Sequence, residues 1–331
     1  MSAHARLVER IAGVEVCVVG DLIADVYIHT RPARLSREAP VIVVRYEREE
    51  VIPGGAANTA RNLAALGAKV HLLSEVGDDA VGGRVTAMLE ESGVQTGGLH
   101  VRAERPTVTK TRILAGDPHR TKQQLFRIDR EPPAGAVRPL DGETLARLEN
   151  VDRHVRGFVV SDYNYELLSP AAIEWLRRKA RSKPVIVDSR HRLRSFRGVS
   201  VITPNEEEAE ETSGLAIEGP DDARAVGHAL VESHGVQAVL LTRGKHGMML
   251  FEPGREPVDY PVHGTGEVVD VSGAGDTVVA AFTGAWLAGA PLAEAAWISN
   301  CAASVVVMKV GAATCSPAEL VRELERAHPP K

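Results

Sequence analysis

Short runs rich in β-branched residues recur along the chain at 14–19, 70–73, 158–161, 185–188, 200–203 and 238–242. Between and after them lie segments with helical periodicity at 145–154, 171–181, 221–234 and 292–308, the last expected to be broken into pieces. Strands separated by helices pair in parallel, because a crossover of helical length returns the chain to the same end of the sheet. The pattern therefore predicts an α/β fold, a parallel sheet with helices packed on its faces. A chain of 331 residues is long enough for one such core with an accessory element, or for two domains. No internal repeat or low-complexity block interrupts it.

Two stretches break the alternation, at 26–51 and 107–129. In the second, Thr107-Val108-Thr109-Lys110-Thr111-Arg112-Ile113-Leu114 and Gln123-Gln124-Leu125-Phe126-Arg127-Ile128 read as paired strands around a Gly116-Asp117-Pro118 turn. Both stretches fit a small β lid, which would exclude water from a reaction beneath it. Exposed lid strands leave unpaired edges and an apolar face, so the lid is also expected to be a homodimer surface.

The chemistry is concentrated in two glycine-rich turns. Asp270-Val271-Ser272-Gly273-Ala274-Gly275-Asp276-Thr277 runs straight into an apolar, alanine-rich stretch at 278–288. Glycines at 273 and 275 allow a sharp turn and a close backbone approach to a ligand. The first amides of the following helix have no intrahelical partner and carry the positive end of its dipole, which attracts phosphate. Asp276 in that first turn is placed to take a proton from an attacking hydroxyl, although an aspartate there also serves as a plain helix cap. A second glycine pair, in Pro53-Gly54-Gly55-Ala56-Ala57-Asn58-Thr59-Ala60, opens another helix, with the polar Asn58 able to face a ligand.

With an N-terminal strand ending in Val19-Gly20-Asp21 and a second aspartate at Asp25, this combination resembles the ribokinase-like sugar kinases, the PfkB family. The resemblance implies a three-layer α/β/α core with a small β-sheet lid, formed by a single kinase domain over 1–331. It implies that Asp21, Asp25, Gly54, Gly55 and Asn58 bind the sugar. Gly273, Ala274 and Gly275 would steady the transferring phosphate, with Asp276 as the base. ATP is the implied phosphoryl donor, with Thr242 and Gly244 along its phosphates and ribose and Asn300 near adenine. Asn205 and Glu208 match an Asn-x-x-Glu element that organises water around Mg²⁺. A monovalent cation such as K⁺ is expected near Asp270. For Thr242, Gly244, Asn205 and Glu208 the turn and helix-start geometry offers a purely structural reading as well.

Ser36-Arg37-Glu38-Ala39-Pro40-Val41, Ser161-Asp162-Tyr163, Thr203-Pro204-Asn205 and Ser316-Pro317-Ala318-Glu319-Leu320 look like the heptose-7-phosphate kinase branch. In the two-function enzyme of that pathway a nucleotidyltransferase follows the kinase. The chain stops at Lys331 without a His-x-Gly-His element, so the resemblance implies a monofunctional kinase. Two departures stand out. The Lys-Gly usual after Ser-Asp-Tyr is replaced by Asn164-Tyr165-Glu166, and Asp-Pro-Lys appears as Asp188-Ser189-Arg190. An arginine gained where a lysine is lost still grips an oxyanion, through a planar fork, so Arg190 is expected at the phosphate of the acceptor. His119, Arg120 and Lys122, in the turn after Gly116, are expected where a lid reaches the acceptor.

Composition narrows the alternatives. A net charge of −5 with 25% charged residues leaves no footprint for nucleic-acid binding, and the one basic cluster, Arg190 to Arg194 with Arg197, is local. The uncharged run between Asp276 and Glu294 contains Gly284, Gly289 and Pro291, which suits a buried helix rather than a membrane span. Cys17, Cys301 and Cys315 lack metal-ligand spacing and read as reduced structural thiols of a cytoplasmic protein. Neither the Gly-x-Gly-x-x-Gly of a dehydrogenase nor a P-loop follows the first strand. A kinase for ribose, fructose, fructose phosphate or a nucleoside stays open, as does a catalytically silent paralogue that binds sugar or nucleotide.

Overall fold

The computed structural model describes residues 3–116, 122–132, 141–165, 167–263 and 268–327. In chain order these form α1 (Ala3–Ile11), β1 (Glu15–Gly20), β2 (Leu22–Leu35), β3 (Ile42–Gly55), α2 (Ala56–Ala65), β4 (Lys69–Gly77), α3 (Ala80–Glu91), β5 (Gln95–Arg102), β6 (Thr109–Ala115), β7 (Gln123–Arg130) and α4 (Asp141–Asp152). The second half continues with β8 (Gly157–Asp162), α5 (Pro170–Lys179), β9 (Val185–Ser189), β10 (Val201–Ile202), α6 (Glu206–Ser213), α7 (Pro220–His234), β11 (Ala238–Thr242), β12 (Met248–Phe251) and β13 (Val258–Tyr260). It closes with α8 (Ala274–Leu287), α9 (Leu292–Val306) and α10 (Pro317–Arg326).

Nine strands form one sheet in the order β13-β12-β11-β10-β9-β8-β1-β4-β5. From β5 to β11 every pairing is parallel, and β12 and β13 extend the edge antiparallel. Alternation along β1 explains the layering: Val16 and Val18 point into one core, Cys17 and Val19 into the other. The first core is covered by α1, α2, α3, α8, α9 and α10, the second by α4, α5, α6 and α7. This is the ribokinase-like three-layer arrangement expected from the resemblance.

The order of the sheet also locates the crevice. From β1 the chain winds outward to β4 and β5, then returns to β8 on the other side of β1 and winds the opposite way. At such a reversal the loops leaving neighbouring strands diverge, and open α/β sheets bind ligands there. Gly20 keeps the floor of that crevice tight, since a β-carbon on it would lie 1.9 Å from the Ser161 carbonyl oxygen.

The second sheet has four strands in the order β3-β2-β6-β7, with β2–β6 parallel and the other two pairings antiparallel. Its strands reach further into the core than the 26–51 and 107–129 segments suggest. β2 starts directly after Asp21, and β3 runs through Gly54 and Gly55 into α2. Burial falls off along the sheet, from the buried Leu22, Ile23 and Ala24 to exposed residues at 31–35, and β7 is exposed at every position. The expected pairing of the two lid strands is present as β6–β7, while the Asp117-Pro118 turn, with His119 and Arg120, lies outside the described residues.

Several elements differ from the sequence reading. The 292–308 segment is not broken: α9 is one helix, because its alanine-rich face packs closely against α8. β5 is hidden by its Gly97-Gly98 pair. A β-carbon at Gly98 would sit 2.4 Å from the Leu72 carbonyl oxygen, so small size, not β propensity, fits it to the edge. All three cysteines are free and buried, and burial pushes the Cys301 and Cys315 thiols up to about 12. No helix among the described residues is long and apolar enough to cross a membrane, and α8 is buried along most of its length.

Candidate active site

The α8 start is built by one conformational requirement. Gly273 caps the helix with φ 74, and a β-carbon there would lie 2.5 Å from the Asn58 amide nitrogen. Gly275, in the first turn, has nothing within 4 Å of where its β-carbon would point, and it lines the cavity in front of the helix. Backbone can therefore approach a ligand closely at that point. The Ala274 amide donates to the Val271 carbonyl at 3.2 Å. Of the three amides expected around an anion, those of Gly273 and Gly275 have no backbone partner among the described residues.

Asp276 is only 6% exposed. Its Oδ2 accepts from Asn58 Nδ2 at 2.8 Å and its Oδ1 from Thr59 Oγ1 at 3.3 Å. Behind these, Thr277 Oγ1 donates to Asn62 Oδ1 at 3.0 Å, so the two glycine-opened helices are joined polar group to polar group. Burial pushes the Asp276 carboxyl up from 3.8 to about 7, against the pull of the Asn58 hydrogen bond and with the help of the nearby Asp25 charge. A carboxyl poised near neutrality suits a general base. Asn58, expected to face the sugar, is wholly buried, and its amide is turned onto Asp276 instead.

In front of Asp276 lies a cavity of about 170 Å³ at the ends of β8, β9 and β11. Tyr163, Asp188, Thr203, Asn205, Glu208 and Thr242 complete its wall. Asn205 and Glu208 form a capping box at the start of α6: the Asn205 side chain accepts from the Glu208 amide, and Glu208 Oε2 accepts from the Asn205 amide at 2.9 Å. The structural reading of this pair therefore holds, and it does not exclude the functional one, since the same residues line the cavity. Burial raises Asp188 well above the ordinary carboxylate range, and the Glu208 and Asp276 charges add to the shift; Glu208 is raised in the same direction, chiefly by burial. Three carboxyl groups thus share one cavity, their mutual repulsion offset only in part by hydrogen bonds and by the Arg190 charge near Glu208, an environment that fits a magnesium nucleotide. No group of three or more His, Cys, Asp or Glu residues that could hold a metal ion occurs among the described residues.

The small sheet brings a further set of polar groups beside Tyr163. Asp25 pairs with Arg112, whose guanidinium lies 5.3 Å from the Tyr27 ring centroid. Gly54 packs against Asp25, since a β-carbon there would meet its Oδ2 at 2.5 Å. Lys110 Nζ lies 5.5 Å from the Tyr163 ring centroid; burial lowers its pKa, and the nearby Arg190 charge lowers it further. Neither Lys110 nor Arg190 forms an ion pair among the described residues, whereas Lys122 is held at the sheet surface by Glu47. Of the basic cluster, Arg192 is turned inward onto Asp162, and Ser189 Oγ donates to the same carboxylate at 2.6 Å.

The remaining expected residues sit apart from the cavity wall. Asp21 is 5% exposed, and its Oδ2 accepts from the Tyr163 and Tyr165 amides at 2.8 and 3.1 Å. Burial and the Asp162 charge push it up to about 7. Gly55 has φ 56, and the Asp21 carbonyl lies 2.6 Å from its β-carbon position. Asn300 is 4% exposed and donates to the Pro261 carbonyl at 2.7 Å. Gly244 begins the turn after β11, with φ 51. Asp270 accepts from the Ser272 and Gly311 amides at 2.8 and 2.9 Å; despite partial burial, these bonds hold it below the ordinary range. The sequence does not mark Tyr163, Asp188, Thr203 and Lys110 as site residues, although the first three lie in its motifs and Lys110 in its lid segment.

Residues 14–319 match the pfkB family carbohydrate kinase profile. The chain belongs to the pfkB family of carbohydrate kinases. It is accordingly an ATP-dependent sugar kinase. Among curated proteins it is similar to the "Bifunctional protein HldE" of Paramagnetospirillum magneticum, 40% identical over 98% of this chain and 66% of the relative. The protein of the same name from Citrifermentans bemidjiense is 38% identical over 96% of this chain and 64% of its own length. The chain thus spans about two thirds of the relatives it matches. Among solved structures, Arabidopsis thaliana ribokinase complexed with ribose and ATP superposes with a TM-score of 0.74 at 22% identity, covering 94% of this chain and 99% of that one. Escherichia coli phosphofructokinase-2 in complex with potassium gives 0.72 at 18%, covering 95% and 99%. At such identities the likeness shows the fold, a pfkB kinase core with its small sheet.

Proposed function

We propose that this pfkB kinase phosphorylates a sugar phosphate, D-glycero-β-D-manno-heptose 7-phosphate, at its anomeric hydroxyl, giving the 1,7-bisphosphate used in ADP-heptose synthesis. Similarity to the HldE proteins over nearly the whole chain supports the acceptor. The observation that carries a phosphorylated acceptor is the Lys110–Arg190 pair. Two cations near each other, one half-buried and neither in an ion pair with a carboxylate, form a receptor for a phosphate group.

Asp276 takes the hydroxyl proton as the sugar oxygen attacks the γ-phosphorus of ATP; the bond to the bridging oxygen breaks and ADP leaves. The amides of Gly273 and Gly275 steady the transferring group, with Ala274 completing the turn. Asn58 and Thr59 hold the carboxylate toward the cavity. Asp25 accepts from sugar hydroxyls, with Gly54 and Gly55 forming the wall behind it. Thr242 and Gly244 lie along the nucleotide, with Asn300 behind the adenine side. Mg²⁺, when bound, supplies the positive charge that offsets the phosphate oxygens, and Glu208 with Asn205 would hold its water shell. Asp270, kept ionised by its amide partners, would hold K⁺.

The exposed apolar side chains of the small sheet, among them Ile42, Tyr46, Phe126 and Ile128, support a homodimer through this surface. The acceptor assignment is tested by ³¹P NMR of the product formed from ATP and heptose 7-phosphate. An anomeric phosphate resonance beside the retained 7-phosphate supports it, and ADP formation without that resonance refutes it.

A further inference from the structure

Arg112, the ion-pair partner of Asp25, has no part in the proposed chemistry, yet it is held in one specific pose. β2 and β6 run parallel, with Asp25 opposite Lys110 and Tyr27 opposite Arg112. Residues two apart on a strand share a face with their cross-strand neighbours, so these four side chains stand on one face of the small sheet. Arg112 turns back along its strand on that face. Its guanidinium lies 5.3 Å from the Tyr27 ring centroid, and its Nη1 donates both to the Lys110 carbonyl at 3.3 Å and to Asp25 Oδ1. The two side chains of the pair are only 17% and 14% exposed. An aromatic face, a carbonyl and a carboxylate therefore fix one planar group.

The two carboxylate oxygens of Asp25 are thereby made unequal. Oδ1 is taken by the guanidinium. Oδ2 has no hydrogen-bond partner among the described residues, so its capacity to accept is unspent. It lies over Gly54, where a β-carbon would stand 2.5 Å from it. The first glycine of the early pair thus leaves room for this oxygen, and any side chain there would push the carboxylate aside. Guanidinium on one oxygen and bare backbone under the other define a single orientation for the group.

We propose that Arg112 is a positioning residue for the acceptor: it holds Asp25 by Oδ1 so that Oδ2 is presented to the sugar hydroxyl. The inference rests on Asp25 as an acceptor ligand. A carboxylate left to rotate would present either oxygen at varying angles, and binding would have to freeze it each time; Arg112 removes that cost beforehand. The effect belongs to acceptor binding, not to proton transfer, because Arg112 makes no hydrogen bond to Asp276.

A double-mutant cycle tests it, with Asp25→Ala, Arg112→Gln and the double variant each titrated with acceptor and with ATP. Arg112→Gln is expected to raise the acceptor Michaelis constant about tenfold, with kcat and the Michaelis constant for ATP within about twofold. Arg112→Lys keeps the charge without the planar fork and should recover part of the loss; it replaces the glutamine variant in the cycle if that one unfolds. Because Arg112 acts through Asp25, its substitution should add less than about twofold once Asp25 is alanine. Losses that multiply in the double variant would put Arg112 on the acceptor itself and overturn the proposal. So would a wild-type acceptor Michaelis constant in Arg112→Gln. The cycle is read on the acceptor that the wild-type enzyme turns over fastest. Preference for a sugar other than heptose 7-phosphate overturns the proposed substrate, and an unchanged acceptor Michaelis constant in Asp25→Ala overturns Asp25 as its ligand, so those failures are distinguishable from that of Arg112.

Discussion

The α2–α8 junction and the small sheet are opposite kinds of structure: the first puts Asp276 in the cavity wall, the second comes near it through Lys110 over the ring of Tyr163. At the junction every participating polar group is buried and partnered: Asn58 with Asp276, Asn62 with Asn58 and Thr277, Thr59 with Asp276. The small sheet is exposed over its outer half, and ion pairs such as Arg31 with Glu47 and Arg127 with Asp129 decorate its surface. Buried, fully satisfied networks fix geometry, while exposed pairs contribute little and tolerate change. The lesson is a division of labour. Under the proposed function, proton transfer belongs to an immobile carboxylate in the core, while the acceptor is met by Lys110 from the small sheet and Arg190 from the loop after β9.

The sharpest way to break this comparison is at the junction. Asp276→Asn is expected to lower turnover by roughly two to four orders of magnitude with ATP binding retained, as loss of a general base requires. Wild-type kcat should fall as pH drops through about 7, the value to which burial raises the carboxyl, because the base works only when ionised. Steady-state kinetics from pH 5 to 9 checks both.

On the other side of the cavity the effect is smaller and of a different kind. Lys110→Ala and Arg190→Ala are each expected to raise the Michaelis constant for a phosphorylated acceptor about tenfold to a hundredfold, with that for ATP unchanged. A loss confined to kcat would place these cations in the chemistry and erase the distinction.

Stability offers a third comparison. The Asp276 carboxyl is raised from 3.8 to about 7 on folding, so its ionisation opposes folding. That penalty is absent below the unfolded value, grows as pH rises between the two, and is complete above about 7. Asp276→Asn should therefore raise the melting temperature by several degrees at pH 8, with the gain shrinking toward pH 5. The smallest expected effect is at the rim of the sheet: Phe126→Asp should shift a dimer toward monomer in analytical ultracentrifugation while leaving the core's melting temperature within about 2 °C.

The sequence carries the central sheet openly because parallel strands buried on both faces read as continuous runs of valine, isoleucine and leucine, as in β1, β9 and β11. β5 escapes because it fits its edge through glycine, and β12 because an apolar run such as Met248–Phe251 has no period of its own. At the cavity, Gly273, Gly275 and Asp276 stand where the local backbone pattern of their turn leads one to look, whereas Gly54 and Gly55 do not line it. Asn58 looks from the sequence as if it faces a ligand, because its true partner, Asp276, is 218 residues away, beyond any local pattern. Tyr163 and Asp188 stand in motifs the sequence displays, but their place at the cavity is hidden for the same reason: they line it only because β8 and β9 end beside each other in the folded sheet.

The claim that Asp276 reacts while Lys110 and Arg190 select the acceptor is tested most directly by ADP release with Mg-ATP across five acceptors: heptose 7-phosphate, fructose 6-phosphate, ribose, fructose and adenosine. The account predicts turnover confined to the phosphorylated sugars, with kcat/KM highest for heptose 7-phosphate. Equal or faster turnover of ribose, fructose or adenosine would contradict it, leaving Lys110 and Arg190 without the anion they are placed to bind.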